Sequence, residues 1–288
     1  MKILVTGGNG FIAQHYIRDI QSTGFDTKTF DLPNNNICCY EDLCREGQDC
    51  EMVIHFAAMA DINECQKNIV KNHETNIDGT FQVAKYCMSN NKKLIFISTC
   101  CVYGNSLDSV ETEWSTAPMA EEPYACSKVA GEYIVRGMPN LNYCILRIGT
   151  VYGVGMREAL FTYITLDSIK TNKIINIDGD GSQTRQLIHI DDLVSGICEA
   201  THRFYDGDFK NEIFNLCGKD KISAMQTMRI SEEIVGKSAL YKYREQRYGQ
   251  TYDENISILR AKNMLDWEPK IDFYDGMKRT YEEDERFK

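Results

Sequence analysis

Residues 1–13, Met-Lys-Ile-Leu-Val-Thr-Gly-Gly-Asn-Gly-Phe-Ile-Ala, set a short apolar run directly before a glycine-rich turn and the start of an amphipathic stretch. That order leaves few folds open. Ile3, Leu4 and Val5 suit a central parallel strand buried on both faces, while Gly7 and Gly10 allow a tight turn and close backbone approach to a pyrophosphate at a helix N-terminus. The spacing is G-x-x-G-x-x-A, with Ala13 where a third glycine is usual. Glycine turns after strands also occur without a ligand, so the rest of the chain has to decide.

It continues in the same rhythm. Lys2–Val5, Thr27–Phe30, Met52–Phe56, Leu94–Ile97 and Tyr143–Arg147 read as strands, and Ile12–Ser22, Tyr40–Glu46, His73–Asn90 and Tyr124–Met138 read as helices between them. Strand alternating with helix predicts an α/β fold: a Rossmann-like, doubly wound parallel sheet with helices on both faces. The second half is less regular, with a turn at Asp178-Gly-Asp-Gly, helices from Asp191 to about His202 and near Ala224–Val235, and a short charged terminal helix from Asp275. The expected organisation is a dinucleotide-binding domain over 1–150 and a smaller C-terminal α/β substrate lobe over 151–288, with about 186–205 returning to the first domain.

Charge narrows the partners. A net charge of −10 argues against nucleic acid or an anionic membrane surface, either of which would want a basic patch. The twelve cysteines are scattered, with no C-x-x-C pair and two doublets at Cys38-Cys39 and Cys100-Cys101, so neither a zinc site nor another metal site is expected. Met1 leads straight into the first strand, and no apolar run approaches membrane-spanning length. The expectation is a reduced, cytoplasmic protein whose cysteines act as small hydrophobes.

Asp31 ends the second strand about twenty residues past the glycine turn, where an acid can bind the adenine-ribose hydroxyls. Leu32-Pro33 supplies no basic residue beside it, which favours NAD over NADP. Tyr124-Ala-Cys-Ser-Lys128 sets a phenol and an ammonium one helical turn apart, just after Pro123. A cation beside the phenol lowers its pKa, so that Tyr124 could remove a hydroxyl proton as hydride leaves the same carbon. Such pairs arise by chance on many helices; the context is Phe96-Ile-Ser-Thr99, a strand ending in hydroxyls roughly 25 residues upstream, at the crevice end of the sheet. Thr99 could hydrogen-bond the reacting oxygen.

Further ordered motifs join these: Val53-Ile-His-Phe-Ala-Ala58, Asn76-Ile-Asp-Gly-Thr80, Val102-Tyr-Gly104, Leu146-Arg through Val151-Tyr-Gly153, Gly179-Asp-Gly-Ser-Gln-Thr-Arg185, Ile188-His-Ile-Asp-Asp192 and Leu265-Asp-Trp-Glu-Pro269. Together they resemble, over nearly the whole chain, the extended short-chain dehydrogenase/reductases of the NAD-dependent epimerase/dehydratase type, which act on nucleotide sugars. The resemblance implies Tyr124 as base, Lys128 as its partner and ribose ligand, and Thr99 beside the substrate oxygen. It implies an NAD site from Gly7, Gly10, Phe11, Ile12, Asp31, Asn36, Ile37, Ala57, Ala58, Asn76 and Lys128, and a nucleoside-diphosphate-sugar site from Thr99, Tyr124, Thr150, Arg185 and Arg247. A homodimer through the helices of 76–90 and 124–138 is likewise implied.

Three positions depart from the family. Cys100-Cys101 stands where dehydratases carry an Asp-Glu acid/base pair, so 4,6-dehydration is not expected. Asn36 replaces an adenine-side Asp, and Thr150 replaces an Asn near the sugar. The reading is a 4-epimerase working through a transient 4-keto sugar. A 4-ketoreductase or 4-dehydrogenase, and a non-catalytic NAD-binding regulator, remain as alternatives.

Overall fold

The structure, a computed structural model of the 288-residue chain, describes residues 1–105, 110–115, 120–246, 249 and 251–288. Its first half runs β1 (Lys2–Thr6), α1 (Phe11–Ser22), β2 (Asp26–Phe30), α2 (Tyr40–Glu46), β3 (Met52–His55), α3 (Ile62–Lys67), α4 (Ile69–His73), α5 (Gly79–Ser89), β4 (Lys93–Thr99), α6 (Pro123–Gly137) and β5 (Tyr143–Ile148). The second half contributes β6 (Val151–Tyr152), α7 (Phe161–Thr171), β7 (Ile174–Asp178), β8 (Thr184–Arg185), β9 (Ile188–His189), α8 (Ile190–Asp206), β10 (Glu212–Leu216), β11 (Ile222–Ser223), α9 (Ala224–Val235), β12 (Leu240–Arg244), α10 (Leu259–Leu265) and α11 (Phe273–Glu283).

Six strands form one sheet in the order β2-β1-β3-β4-β5-β10, every pair parallel. The order reverses between β1 and β3, and that switch point is where an α/β sheet opens a crevice at its carboxyl edge. Alternate side chains of each strand feed two cores. Ile3, Val5, Ile54 and Leu146 face α1, α8 and α10, while Leu4, Val53, Phe96 and Ile145 face α2, α5 and α6. Each fully buried aliphatic contributes about 1.5–3 kcal/mol, which makes the register expensive to slip.

The chain returns to the sheet in its second half. α8 lays Leu193, Val194 and Ile197 on the α1 face, β10 adds the sixth strand, and Trp267 closes the same core. What remains is a smaller lobe in which α7 and α9 pack over the parallel pair β7–β12 through Ile169, Ile175, Ile177 and Met228.

Several boundaries differ from the sequence expectation. The helix read over His73–Asn90 begins at Ile69 and passes through a π-helical turn, Glu74–Asp78, before α5. The wider turn carries the Asn72–Asn76 pair described below, a common use of such bulges. The terminal helix starts at Phe273, because the Asp272 side chain caps it by accepting from the Tyr274 N–H. α8 runs on to Asp206 and ends at Gly207 in the left-handed region, φ +88°. α3, α7, β7, β10, β12 and α10 have no counterpart in the sequence reading.

Candidate active site

The glycine turn sits at the switch point. Gly7 has φ +69°, its N–H donates to the Phe30 carbonyl at 2.9 Å, and a Cβ there would come within 2.6 Å of the Ala57 nitrogen. The turn is therefore packed backbone against backbone, with no room for a side chain. Gly10 N-caps α1, donates to the Gly7 carbonyl at 2.9 Å, and is followed by a first turn with no acidic residue. The leading N–H groups of α1 thus present an uncompensated positive end, suited to a phosphate. Phe11 and Ile12 begin that helix, half-buried against its core.

Asp31 follows β2 and is fixed from two sides, Oδ2 accepting from the Asn9 N–H at 3.0 Å and Oδ1 from the Leu32 N–H at 2.8 Å. Its remaining lone pairs stay available to hydroxyls. Asn36 is exposed, its Oδ1 already accepting from the Cys38 N–H at 3.0 Å, and Ile37 is buried against Gly79. Ala57 and Ala58 lie half-buried just past β3. A glycine turn closed against the Ala57 backbone, an acid-free helix start and a tethered carboxylate just past the neighbouring strand fit a dinucleotide.

Asn76 is placed behind this cleft. It is buried, its Oδ1 accepts from the Met59 N–H at 2.7 Å, and its Nδ2 lies within hydrogen-bond distance of the Met59 carbonyl, Asn72 Oδ1 and Ser127 Oγ. Ser127 in turn donates to the Tyr124 carbonyl at 2.7 Å. Asn76 therefore ties the loop after β3 to the first turn of α6.

Thr99, at the carboxyl end of β4, caps the 3₁₀ turn Cys100–Tyr103 by accepting from the Cys101 N–H at 3.2 Å. Glu122 starts α6, accepting from the Tyr124 N–H at 2.9 Å and the Ala125 N–H at 2.7 Å. These two caps set the half-buried Tyr124 phenol near Thr99, whose hydroxyl acts on it. Lys128, one turn on, is buried with Nζ donating to the Ile97 carbonyl at 2.9 Å and lying 4.9 Å from the Phe96 ring centre. Burial pulls Lys128 down to about 8, with Glu132 opposing.

One expectation is corrected here. The phenol is not lowered: burial drives Tyr124 well above its ordinary value, helped by Cys101 and Glu122, with Arg157 and Thr99 acting the other way. The Lys128 ammonium is turned to the Ile97 carbonyl, and in this arrangement desolvation outweighs charge pairing.

Across the crevice, Arg185 on β8 donates Nη1 to the Thr184 carbonyl at 2.7 Å and places Nε 3.4 Å from Oε1 of the buried Glu254. Thr150 is half-buried beyond β5, its carbonyl accepting from the Ile188 N–H at 2.9 Å. Arg247 lies outside the described residues. Cys100 is buried, its thiol donating to the Arg147 carbonyl at 3.3 Å, and Cys101 is pushed up to about 11 by burial and by Glu254. Both are neutral thiols at pH 7.

Sequence reasoning passed over three groups at this site. Arg157 makes no ion pair among the described residues, and its charge reaches both Tyr124 and Cys65. Glu254 accompanies Arg185. Glu132 and Arg147 form a buried ion pair behind Lys128, with Nη2 to Oε2 at 2.6 Å. Only the last had a signal, an acid one turn past Lys128 and an arginine inside an apolar strand. Among the described residues no group of three or more His, Cys, Asp or Glu is gathered to hold a metal, and no helix is long and apolar enough to cross a membrane.

Chains with this strand order and a glycine turn at the switch point form the class of Rossmann-type dinucleotide-binding proteins. Residues 3–217 match the NAD dependent epimerase/dehydratase family, and the chain belongs to it. It is 28% identical to a putative UDP-glucose 4-epimerase of Methanocaldococcus jannaschii over 96% of both chains. It is 32% identical to a UDP-glucuronate 4-epimerase of Thermodesulfobacterium geofontis over 79% of this chain and 70% of that one. Among solved structures, UDP-glucuronic acid 4-epimerase from Bacillus cereus, in complex with UDP-glucuronic acid and NAD, superposes with a TM-score of 0.91 at 26% identity over 98% of each chain.

Proposed function

We propose that the chain is an NAD-dependent nucleotide-sugar 4-epimerase, with residues 1–150 holding the cofactor and most of 151–288 the sugar nucleotide. When bound, NAD would supply the hydride acceptor and donor for C4, by way of a 4-keto sugar that takes the hydride back on its opposite face. Tyr124 takes the C4 hydroxyl proton and later gives it back, Thr99 hydrogen-bonds the same oxygen as its charge changes, and Lys128 supplies the cation. Asp31 takes the adenine ribose, the Gly7–Gly10 turn the pyrophosphate, and Arg185 the diphosphate of the substrate. The observation that carries this reading is the nearness of Tyr124 to Thr99 at the carboxyl edge of the sheet, with Lys128 one helical turn on.

The protonated thiols of Cys100 and Cys101 offer no carboxyl acid/base pair, which argues against 4,6-dehydration. Arg157, which makes no ion pair among the described residues and whose charge reaches Tyr124, favours a hexuronate, whose carboxylate it would neutralise, over a neutral hexose. Ile69, Val70, Phe81 and Tyr133 are exposed on α4, α5 and α6, an apolar face that supports a homodimer through these helices.

The test is to incubate purified protein with UDP-glucuronate and UDP-glucose, with no added cofactor, and follow C4 by proton NMR. Inversion at C4 that vanishes in Tyr124→Phe is expected. Turnover only with added reduced cofactor, giving reduction without inversion, would replace the epimerase by a ketoreductase.

A further inference from the structure

Behind the helix that carries Tyr124 and Lys128 runs a closed chain of buried polar contacts. Glu132, one turn past Lys128 on α6, is 3% exposed. Arg147 of β5 grips it at two points, Nε to Oε1 at 2.9 Å and Nη2 to Oε2 at 2.6 Å, and Ser98, the neighbour of Thr99, donates to Oε1 at 2.5 Å. Arg147 Nη1 donates to the Tyr103 hydroxyl at 2.8 Å, and that hydroxyl donates to Asn215 Oδ1 at 2.8 Å. Four sheet or helix elements and the turn after Thr99 are joined by these contacts: β4, α6, β5 and β10.

Stability alone does not account for the pair, because apolar side chains of similar volume commonly serve a core as well as a buried ion pair does. Its placement points elsewhere. The groups that act on Lys128 are Glu132 from its own helix and Cys65 from α3; His55 from β3 and Tyr124 stand close by as neutral groups. Glu132 is the foremost of those that favour the ammonium, against a burial that pulls Lys128 down to about 8. Arg147 holds Glu132 at two points and does not figure among the groups acting on Lys128.

We propose that Glu132 is a positioning residue for the reaction: clamped by Arg147 and Ser98, it sets α6 against the strand that bears Thr99 and keeps the buried Lys128 a cation. The inference rests on the reading of Lys128 as the partner of Tyr124. Its first half is a matter of geometry, since Ser98 and Thr99 are consecutive on β4 and Lys128 and Glu132 are consecutive turns of α6.

The experiment reads Lys128 directly and the reaction separately. In protein labelled with ¹³Cε-lysine, the Lys128 resonance is assigned by its loss in Lys128→Met and titrated from pH 6 to 11. Glu132→Gln should lower its midpoint by about one pH unit and move the alkaline limb of turnover by the same amount. Arg147→Lys, which keeps both charges and loses the two-point fork, should leave the midpoint in place. Removing one partner of a buried pair can prevent folding; Glu132→Gln combined with Arg147→Gln leaves no orphaned charge and should still lower the midpoint. An unchanged midpoint in either folded Glu132 variant overturns the proposal. A lowered midpoint in protein that shows no turnover in any form sustains the charge role of Glu132 and counts against the epimerase reading instead.

Discussion

Lys128 donates its ammonium to the Ile97 carbonyl at 2.9 Å, two residues before Thr99 on the same strand. The cation is thereby anchored to the strand that presents the reacting hydroxyl, while the phenol it is expected to serve stands one turn away and is held protonated by burial. A reaction through Tyr124 needs that ammonium to remain charged.

Removing the phenol should therefore be far more costly to turnover than to folding. Tyr124→Phe is expected to reduce kcat by about 10²- to 10⁴-fold, the usual worth of a positioned acid/base, with melting temperature and cofactor affinity close to those of the parent. Single-turnover kinetics with a bound sugar nucleotide make the measurement. A loss below tenfold would remove Tyr124 from the role.

Arg185 leans on Glu254, Nε to Oε1 at 3.4 Å, and Glu254 is 2% exposed. The carboxylate aims the guanidinium and loses its own compensation if the arginine goes. Arg185→Ala should raise KM for the sugar nucleotide by at least about tenfold with a smaller change in kcat, the pattern of lost ground-state binding. It should also cost about 1–3 kcal/mol of stability, since Glu254 is left buried without a cation. Equal effects on KM and kcat would place Arg185 in the transition state instead of the phosphate site.

How far the chain could be read without a structure follows from where its interactions are local. β1 through β5 and the glycine turn were legible because Ile3-Leu4-Val5 and its counterparts are apolar runs bounded by turn residues. β10 was not, because Glu-Ile-Phe-Asn-Leu alternates weakly and carries Asn215, a polar group fully buried only because Tyr103, Ser257 and Glu113 satisfy it from three distant segments. Thr99, Tyr124 and Lys128 could be found by spacing, and the fold sets the first two near each other. What spacing misjudged was the electrostatics: the balance between a nearby ammonium and desolvation depends on where Nζ points, and Ile97 O was invisible in the sequence. Glu254, about 70 residues from Arg185, was hidden for the same reason, a long-range pairing with no local signature.

Two glycines with positive φ make a matched pair of opposite consequence. Gly7, at φ +69°, would set a Cβ 2.6 Å from the backbone nitrogen of Ala57, whereas Gly24, at φ +94°, has nothing within 4 Å. Gly24→Ala carries only the conformational penalty, about 1–2 kcal/mol, and should leave cofactor binding unchanged. Gly7→Ala must also push β3's exit away from the turn at the switch point, so cofactor affinity should fall by more than tenfold. Isothermal titration with NAD separates the two; equal affinities would show that the turn does not bound the cofactor cleft.

His55 gives the acid side of the stability curve. Thr80 donates its hydroxyl proton to the Asn76 carbonyl at 2.7 Å, so His55 Nε2, 3.1 Å from Thr80 Oγ1, has to be the donor of that pair. Nδ1 then accepts from Thr6 Oγ1 at 2.7 Å, and the ring is neutral. It is fully buried, and burial, with Lys128 second, holds its proton affinity down to about 3. The unfolded chain takes up a proton near pH 6.5, so between about 6.5 and 3 the unfolded state binds more protons than the folded one. Stability is therefore lost as pH falls through that window, by up to about 1.4 kcal/mol per pH unit from this residue. His55→Gln removes the titration while keeping a donor and an acceptor. Its stability deficit against the parent, measured by urea unfolding, should be smaller at pH 5 than at pH 7 by about 2 kcal/mol. A deficit that does not change with pH would mean that the ring takes up its proton as readily in the folded protein as in the unfolded chain.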